Sequence, residues 1–106
     1  MKCMFLAVAA SFGVCSAAFA QTVPSWNAGG QDWRCSQKCR EGLAGRPTPI
    51  AQTGRDFILT NEAGQTASGI YEEGYKIRVP DWNATAIFSD DLKTLTFYPY
   101  GTVWAR

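Results

Sequence analysis

Cys35 and Cys39 are separated by Ser36-Gln37-Lys38, with Arg34, Lys38 and Arg40 in and around the motif. A C-x3-C spacing admits several chemistries. The pair can close an internal disulfide or bridge to a second copy as a homodimer. It can act as a dithiol whose thiolate is favoured by the neighbouring cations, or give two soft ligands to a metal that finds its others elsewhere. Residues at i and i+4 of a regular helix hold their Cβ atoms about 5–6 Å apart, whereas a disulfide needs about 3.5–4.5 Å. An internal bridge therefore predicts a distorted turn at Ser36-Gln37-Lys38.

The chain contains no histidine. The commonest general base and the commonest transition-metal ligand are thus absent, and serine-histidine and cysteine-histidine catalysis are excluded within the chain. Two adjacent carboxylate pairs are present, Glu72-Glu73 and Asp90-Asp91. A glycosidase needs two carboxyls facing one bond at about 5–9 Å, and neighbours on a strand or in a turn point apart. Neither pair has the alternating oxygen-ligand spacing of a calcium loop. The reading is a non-enzymatic protein with no cofactor and no metal.

Aromatic side chains are the richest resource for recognition: Trp26, Trp33, Trp82 and Trp104, with Tyr71, Tyr75, Tyr98 and Tyr100. A small core consumes some of them, because each buries a large area. Tyr98 and Tyr100 flank Pro99 near a turn, with Asp81 and Asn83 elsewhere in the same half of the chain. The expected binding surface is an aromatic-rich face of a β-sheet formed by Trp82, Tyr98, Tyr100 and Trp104, with Arg106 adding an ionic contact. Such a face stacks on sugar rings or grips a protein, so the partner class is carbohydrate or protein. Asn83-Ala84-Thr85 is also a glycosylation sequon, relevant only in a eukaryotic secretory pathway.

Lys2, the uncharged run Met4 to Val14 and the small-x-small triplet Ala18-Phe19-Ala20 read as a signal peptide over residues 1–20, with the mature chain starting at Gln21. The apolar run is shorter than the about 20 residues of a membrane-spanning helix, so no membrane span is expected after cleavage. Val14 and Phe12 ahead of Cys15 depart from a lipoprotein signal. Without Lys2, 9 basic residues balance 9 acidic ones, and no net field attracts nucleic acid. The expected location is secreted or periplasmic, where disulfides persist. Arg34, Lys38, Arg40 and Arg46 read as a solvated helix face.

The elements that must position these groups follow from periodicity. Residues 21–53 read as an arm pinned by Trp26, a helix from Trp33 to Leu43 capped by Asp32 and stopped by Gly45 and Pro47, and a linker from Arg46 to Thr53. From Asp56 the pattern changes to period two. Strands are expected at Phe57 to Thr60, Thr66 to Tyr71, Tyr75 to Val79, Trp82 to Ser89, around Leu95 and Phe97, and at Thr102 to Ala105. The fold class is α+β, mostly β: a short N-terminal helix, then a five- to six-stranded antiparallel meander over residues 54–106, curled into a partial barrel. Barrels begin to hold a small ligand at about eight strands, so this count predicts a core filled by side chains.

Residues 60–106 carry Asn61-Glu62-x-Gly64, Ser68-Gly69, Asp81-Trp82, Ser89-Asp90 and the ending Gly101-Thr102-Val103-Trp104-Ala105-Arg106. This half of the chain resembles a type of small exported bacterial β-rich protein ending in a Gly-Thr-x-Trp-x-Arg pattern, with Tyr100 standing where that pattern has Asn. The resemblance implies a repeat-like β-sheet unit and brings no catalytic residue with it.

Overall fold

The structure is a computed structural model that describes residues 22–106. The signal-peptide reading of residues 1–20 lies outside the described residues. Strand β1 spans Arg34–Gln37, β2 Ile50–Thr53, β3 Asp56–Thr60, β4 Thr66–Glu73, β5 Lys76–Val79, β6 Ala84–Phe88, β7 Thr94–Tyr98 and β8 Thr102–Ala105. A 3₁₀ turn, Pro80–Trp82, joins β5 to β6. All eight strands form one antiparallel sheet in the order β1-β8-β7-β6-β5-β4-β3-β2, curled as a half-barrel. Its two edges meet through isolated bridges between Gly30 and Ile50 and between Arg34 and Pro47. Closure of this kind leaves few unpaired backbone groups at the margins.

The later strands follow the period-two pattern. Phe57 and Leu59, Ile77 and Val79, Ala84, Ala86 and Phe88, and Leu95 and Phe97 are buried inside, while Ile58, Ile70, Ile87 and Tyr98 project outward. Small residues on β4 and β6, namely Ala67, Gly69, Ala84 and Ala86, share the interior with Trp33, Phe57, Phe88 and Trp104. This large-and-small packing is how a narrow barrel fills to interior density. A Cβ on Gly69 would lie 3.3 Å from both Phe57 Cβ and Ile77 Cδ1, so the glycine marks a close approach rather than a turn.

Two expectations are corrected. The helix from Trp33 to Leu43 does not form, and the sheet has eight strands instead of five or six. Trp33 and Cys35 are buried while Arg34 and Ser36 are exposed, which is the alternation of a strand. Cys35 lies opposite Trp104 of β8, and its N–H donates to the Arg46 carbonyl at 3.0 Å. The exposed margin of β8 supplies a ladder of hydrogen bonds that outweighs the local capping signal of Asp32. The segment read as a linker contains β2, paired along β3 from Ile50–Leu59 to Thr53–Asp56. The sheet thus runs through the boundary drawn at residues 53/54, with β1 and β2 as its outer strands.

Cys35 and Cys39 form an internal disulfide with Cα atoms 6.0 Å apart. The expected distortion at Ser36-Gln37-Lys38 is present. The pairing of β1 with β8 shifts register between Cys35 and Gln37, and Lys38 takes a left-handed conformation with φ of 51°. The bridge therefore turns the chain sharply out of β1 into the loop that follows.

Candidate functional site: the open end of the half-barrel

Strand direction sorts the loops into two groups. The hairpin turns after β2, β4 and β6 lie at one end, together with the arm that precedes β1. This end is plugged. Trp26 packs on Phe57, Tyr71, Tyr75 and Phe88 at centroid distances of 5.2 to 6.1 Å. Its indole donates to the Gly74 carbonyl at 3.0 Å. Trp33 is fully buried and donates to the Ala28 carbonyl at 2.8 Å.

The opposite end is different. The loop after β1, the turn between β3 and β4, the 3₁₀ turn and the turn between β7 and β8 surround a cleft of about 370 Å³. The β1 loop contributes Lys38, Cys39 and Arg40, and the β3–β4 turn contributes Asn61 and Glu62. Trp82, Ala84, Phe97, Tyr100, Thr102 and Trp104 complete the wall. The volume falls in the range of about 300–1,000 Å³ typical of small-molecule sites.

Each wall group is held by its own local chemistry. Asn61 Oδ1 accepts the N–H groups of Ala63 and Gln65 at 3.0 and 2.9 Å, an Asx turn. Gly64 supplies the left-handed residue that this turn requires, with φ of 84°. The turn fixes Glu62, whose Oε2 accepts the backbone N–H of Arg40 at 2.8 Å. Trp82 ends the 3₁₀ turn, which Pro80 starts and the left-handed Asn83 closes. The Tyr100 hydroxyl donates to the Trp82 carbonyl at 2.7 Å, so Tyr100 is both wall and strut. The Thr102 hydroxyl donates to the Lys38 carbonyl at 3.0 Å and ties the β1 loop to β8. The disulfide anchors the same loop from its other side.

The floor is aromatic. Phe97 and Trp104 lie 4.6 Å apart between ring centroids, and Trp82 packs edge-on to Trp104 at 6.4 Å. Trp104 is 1 % exposed, and its indole Nε1 is buried without a hydrogen-bond partner among the described residues. Glu62 is 6 % exposed. Among the described residues no lysine or arginine pairs with its carboxylate, and its one hydrogen bond is the one from Arg40. The Arg40 guanidinium instead donates to Gln65 Oε1 at 3.0 Å.

Of the five residues expected at a binding face, the structure brings Trp82, Tyr100 and Trp104 together on this cleft. Tyr98 is 49 % exposed on the outer face of β7, opposite Thr85 of β6. Arg106 lies at the plugged end, its guanidinium 4.6 Å above the Trp33 ring and 3.5 Å from Asp32. Its Nε donates to the Leu92 carbonyl at 2.8 Å. Sequence reasoning missed Glu62, and it assigned Lys38 and Arg40 to a solvated helix. The remaining carboxylate pairs are far from the cleft: Glu72 and Glu73 pair with Lys76 and Arg78 on the sheet surface, and Asp91 accepts the Ser89 hydroxyl.

No protein-family model, curated protein or solved structure matches this chain.

Proposed function

We propose that this chain is an exported, non-enzymatic binding protein that takes a small ligand into the open end of its half-barrel through Trp82, Tyr100 and Trp104. The observation that carries this reading is the asymmetry of the ends. One is filled by the chain's own arm, and the other is left as an aromatic cleft of about 370 Å³ with a largely buried carboxylate in its wall. A carboxylate held in an aromatic cleft with no cation paired to it among the described residues suits an incoming partner. The size of the cleft favours a small molecule over a protein surface. The absence of histidine and the single carboxylate in the wall speak against catalysis. The leader-like residues 1–20 and the internal disulfide fit an oxidising compartment.

The test is an amide-resolved NMR titration with a panel of monosaccharides, amino acids and their derivatives. Chemical-shift changes should cluster at residues 38–40, 61–62, 82–84 and 97–104, and Trp82→Ala should abolish them. Shifts that cluster instead around the exposed Tyr98, or no shifts with any member of the panel, would overturn the assignment.

A further inference from the structure

The carboxylate in the wall specifies a ligand chemistry. We infer, building on the reading of the open end as a binding site, that its ligand is a small organic ammonium ion. The nitrogen sits against the Glu62 carboxylate and the carbon skeleton lies against the aromatic wall of Trp82 and Tyr100.

Glu62 carries the first part. Glu62 is largely buried with its Oε1 open to the cleft, and a ligand that displaces water there must compensate the carboxylate, which one hydrogen bond from a backbone N–H does not do. The chain has two cations on the rim but directs neither at Glu62. The Arg40 guanidinium is turned to Gln65, and the Lys38 side chain lies along Gly101, whose position a Cβ would bring within 3.3 Å of Lys38 Cδ. The charge that completes Glu62 has to arrive with the ligand. A neutral ligand would leave the carboxylate uncompensated, and an anionic one would face it across a short, poorly screened distance.

The walls carry the second part. Indole faces attract cations through their quadrupole, and the attraction strengthens as the site is desolvated. The plugged end of the same molecule shows this arrangement with every place taken. There the Arg106 cation lies over the Trp33 ring, an aspartate stands beside it, and the Trp33 N–H has its acceptor. The open end has the indoles and the carboxylate, and no cation is paired with that carboxylate among the described residues. The exposed rim charges of Lys38 and Arg40 are screened by salt.

An amino sugar and an amino-acid derivative share this chemistry, and matched pairs separate them. Glucosamine is compared with glucose, and L-serine amide with N-acetyl-L-serine amide, by NMR titration of the full mature chain at a slightly acidic pH that keeps both amines protonated. At least one amine should bind at the cleft ten-fold or more tightly than its neutral counterpart, and added salt should narrow the gap. The pair that shows the gap identifies the source. Glu62→Gln keeps the acceptor for the Arg40 N–H and should lower the amine's affinity to that of the neutral compound, leaving the latter unchanged. Equal binding of amine and neutral compound at the cleft would overturn the cation assignment and leave the binding site standing. Absence of binding by both members of both pairs would overturn both. The comparison on the unsubstituted chain decides the matter even where Glu62→Gln fails to fold.

Discussion

The two ends of the half-barrel are built from the same materials and finished differently. Each has a pair of tryptophans, smaller aromatics and an acidic group. At the plugged end the chain supplies every partner: both indole N–H groups reach carbonyls, and Arg106 and Asp32 meet over Trp33. At the open end the Trp104 N–H and one oxygen of Glu62 have no partner among the described residues. An eight-stranded barrel of this width has enough interior for side chains or for a small ligand. Here the arm settles the choice at one end by occupying it. The difference separates residues that hold the fold from residues whose arrangement is not explained by holding the fold.

The largest effect should follow from breaking the plug. Trp33→Ala removes a fully buried indole, its hydrogen bond to Ala28 and the surface on which Arg106 rests. Loss of a buried tryptophan costs about 3–5 kcal/mol, a large share of the about 5–15 kcal/mol that stabilises a typical domain. Denaturant unfolding followed by far-ultraviolet circular dichroism should show a midpoint lowered accordingly. A loss below about 1 kcal/mol would mean that the arm is not part of the cooperative core.

Replacing Trp104 should give the opposite balance. Trp104→Phe gives up some packing but also removes a buried donor without a partner, a group that costs about 1–3 kcal/mol to leave unsatisfied. Stability should therefore stay within about 1 kcal/mol of the parent. Thr48 is the control, because its hydroxyl is also buried without a partner but does not line the cleft. Thr48→Val should stabilise by about 1 kcal/mol and leave ligand affinity unchanged. If Trp104→Phe cost as much as Trp33→Ala, Trp104 would be ordinary core and the contrast between the ends would collapse.

The legibility of the sequence follows the same division. From Asp56 onward the alternation of apolar and polar residues was unbroken enough to locate all six later strands, but the expected face joined Tyr98, which points outward, to Trp104, which points inward. The first two strands were not legible, because each is four residues long. Their pairing partners are also remote: β1 pairs with β8, at the other end of the sequence. Asp32, Gly45 and Pro47 mimic helix boundaries, and nothing local to Arg34–Gln37 announces the open margin of β8. Miscounting the strands carried a functional consequence, since five or six would enclose no cleft. Trp82, Tyr100 and Trp104 were found through their residue type alone. Glu62 was hidden because a glutamate in an Asn-x-x-Gly turn reads as solvated, and only the return of the disulfide-bound loop over it makes it buried.

The smallest expected effect lies in the turn that follows β6, and it tests whether the ends are independent. Asp91 is held below its ordinary value of 3.8, first by the Ser89 hydroxyl at 2.6 Å and then by the Lys93 N–H at 3.0 Å. A carboxyl depressed in the folded chain adds stability above its unfolded value, and that contribution fades as pH falls through the lower folded value. The group is fully exposed, so the consequence for folding is slight, and its titration is the sensitive readout. In an NMR titration of the Asp91 carboxyl carbon the midpoint should lie below 3.8 and should rise toward it in Ser89→Ala. An unchanged midpoint would show that the hydroxyl does not hold the carboxylate. Ser89→Ala should also leave the amide shifts of residues 61–62 and 82–84 in place, because the turn is separated from the cleft by the full length of the strands. Movement of those shifts would couple the plugged end to the open one and make the arm a participant in binding.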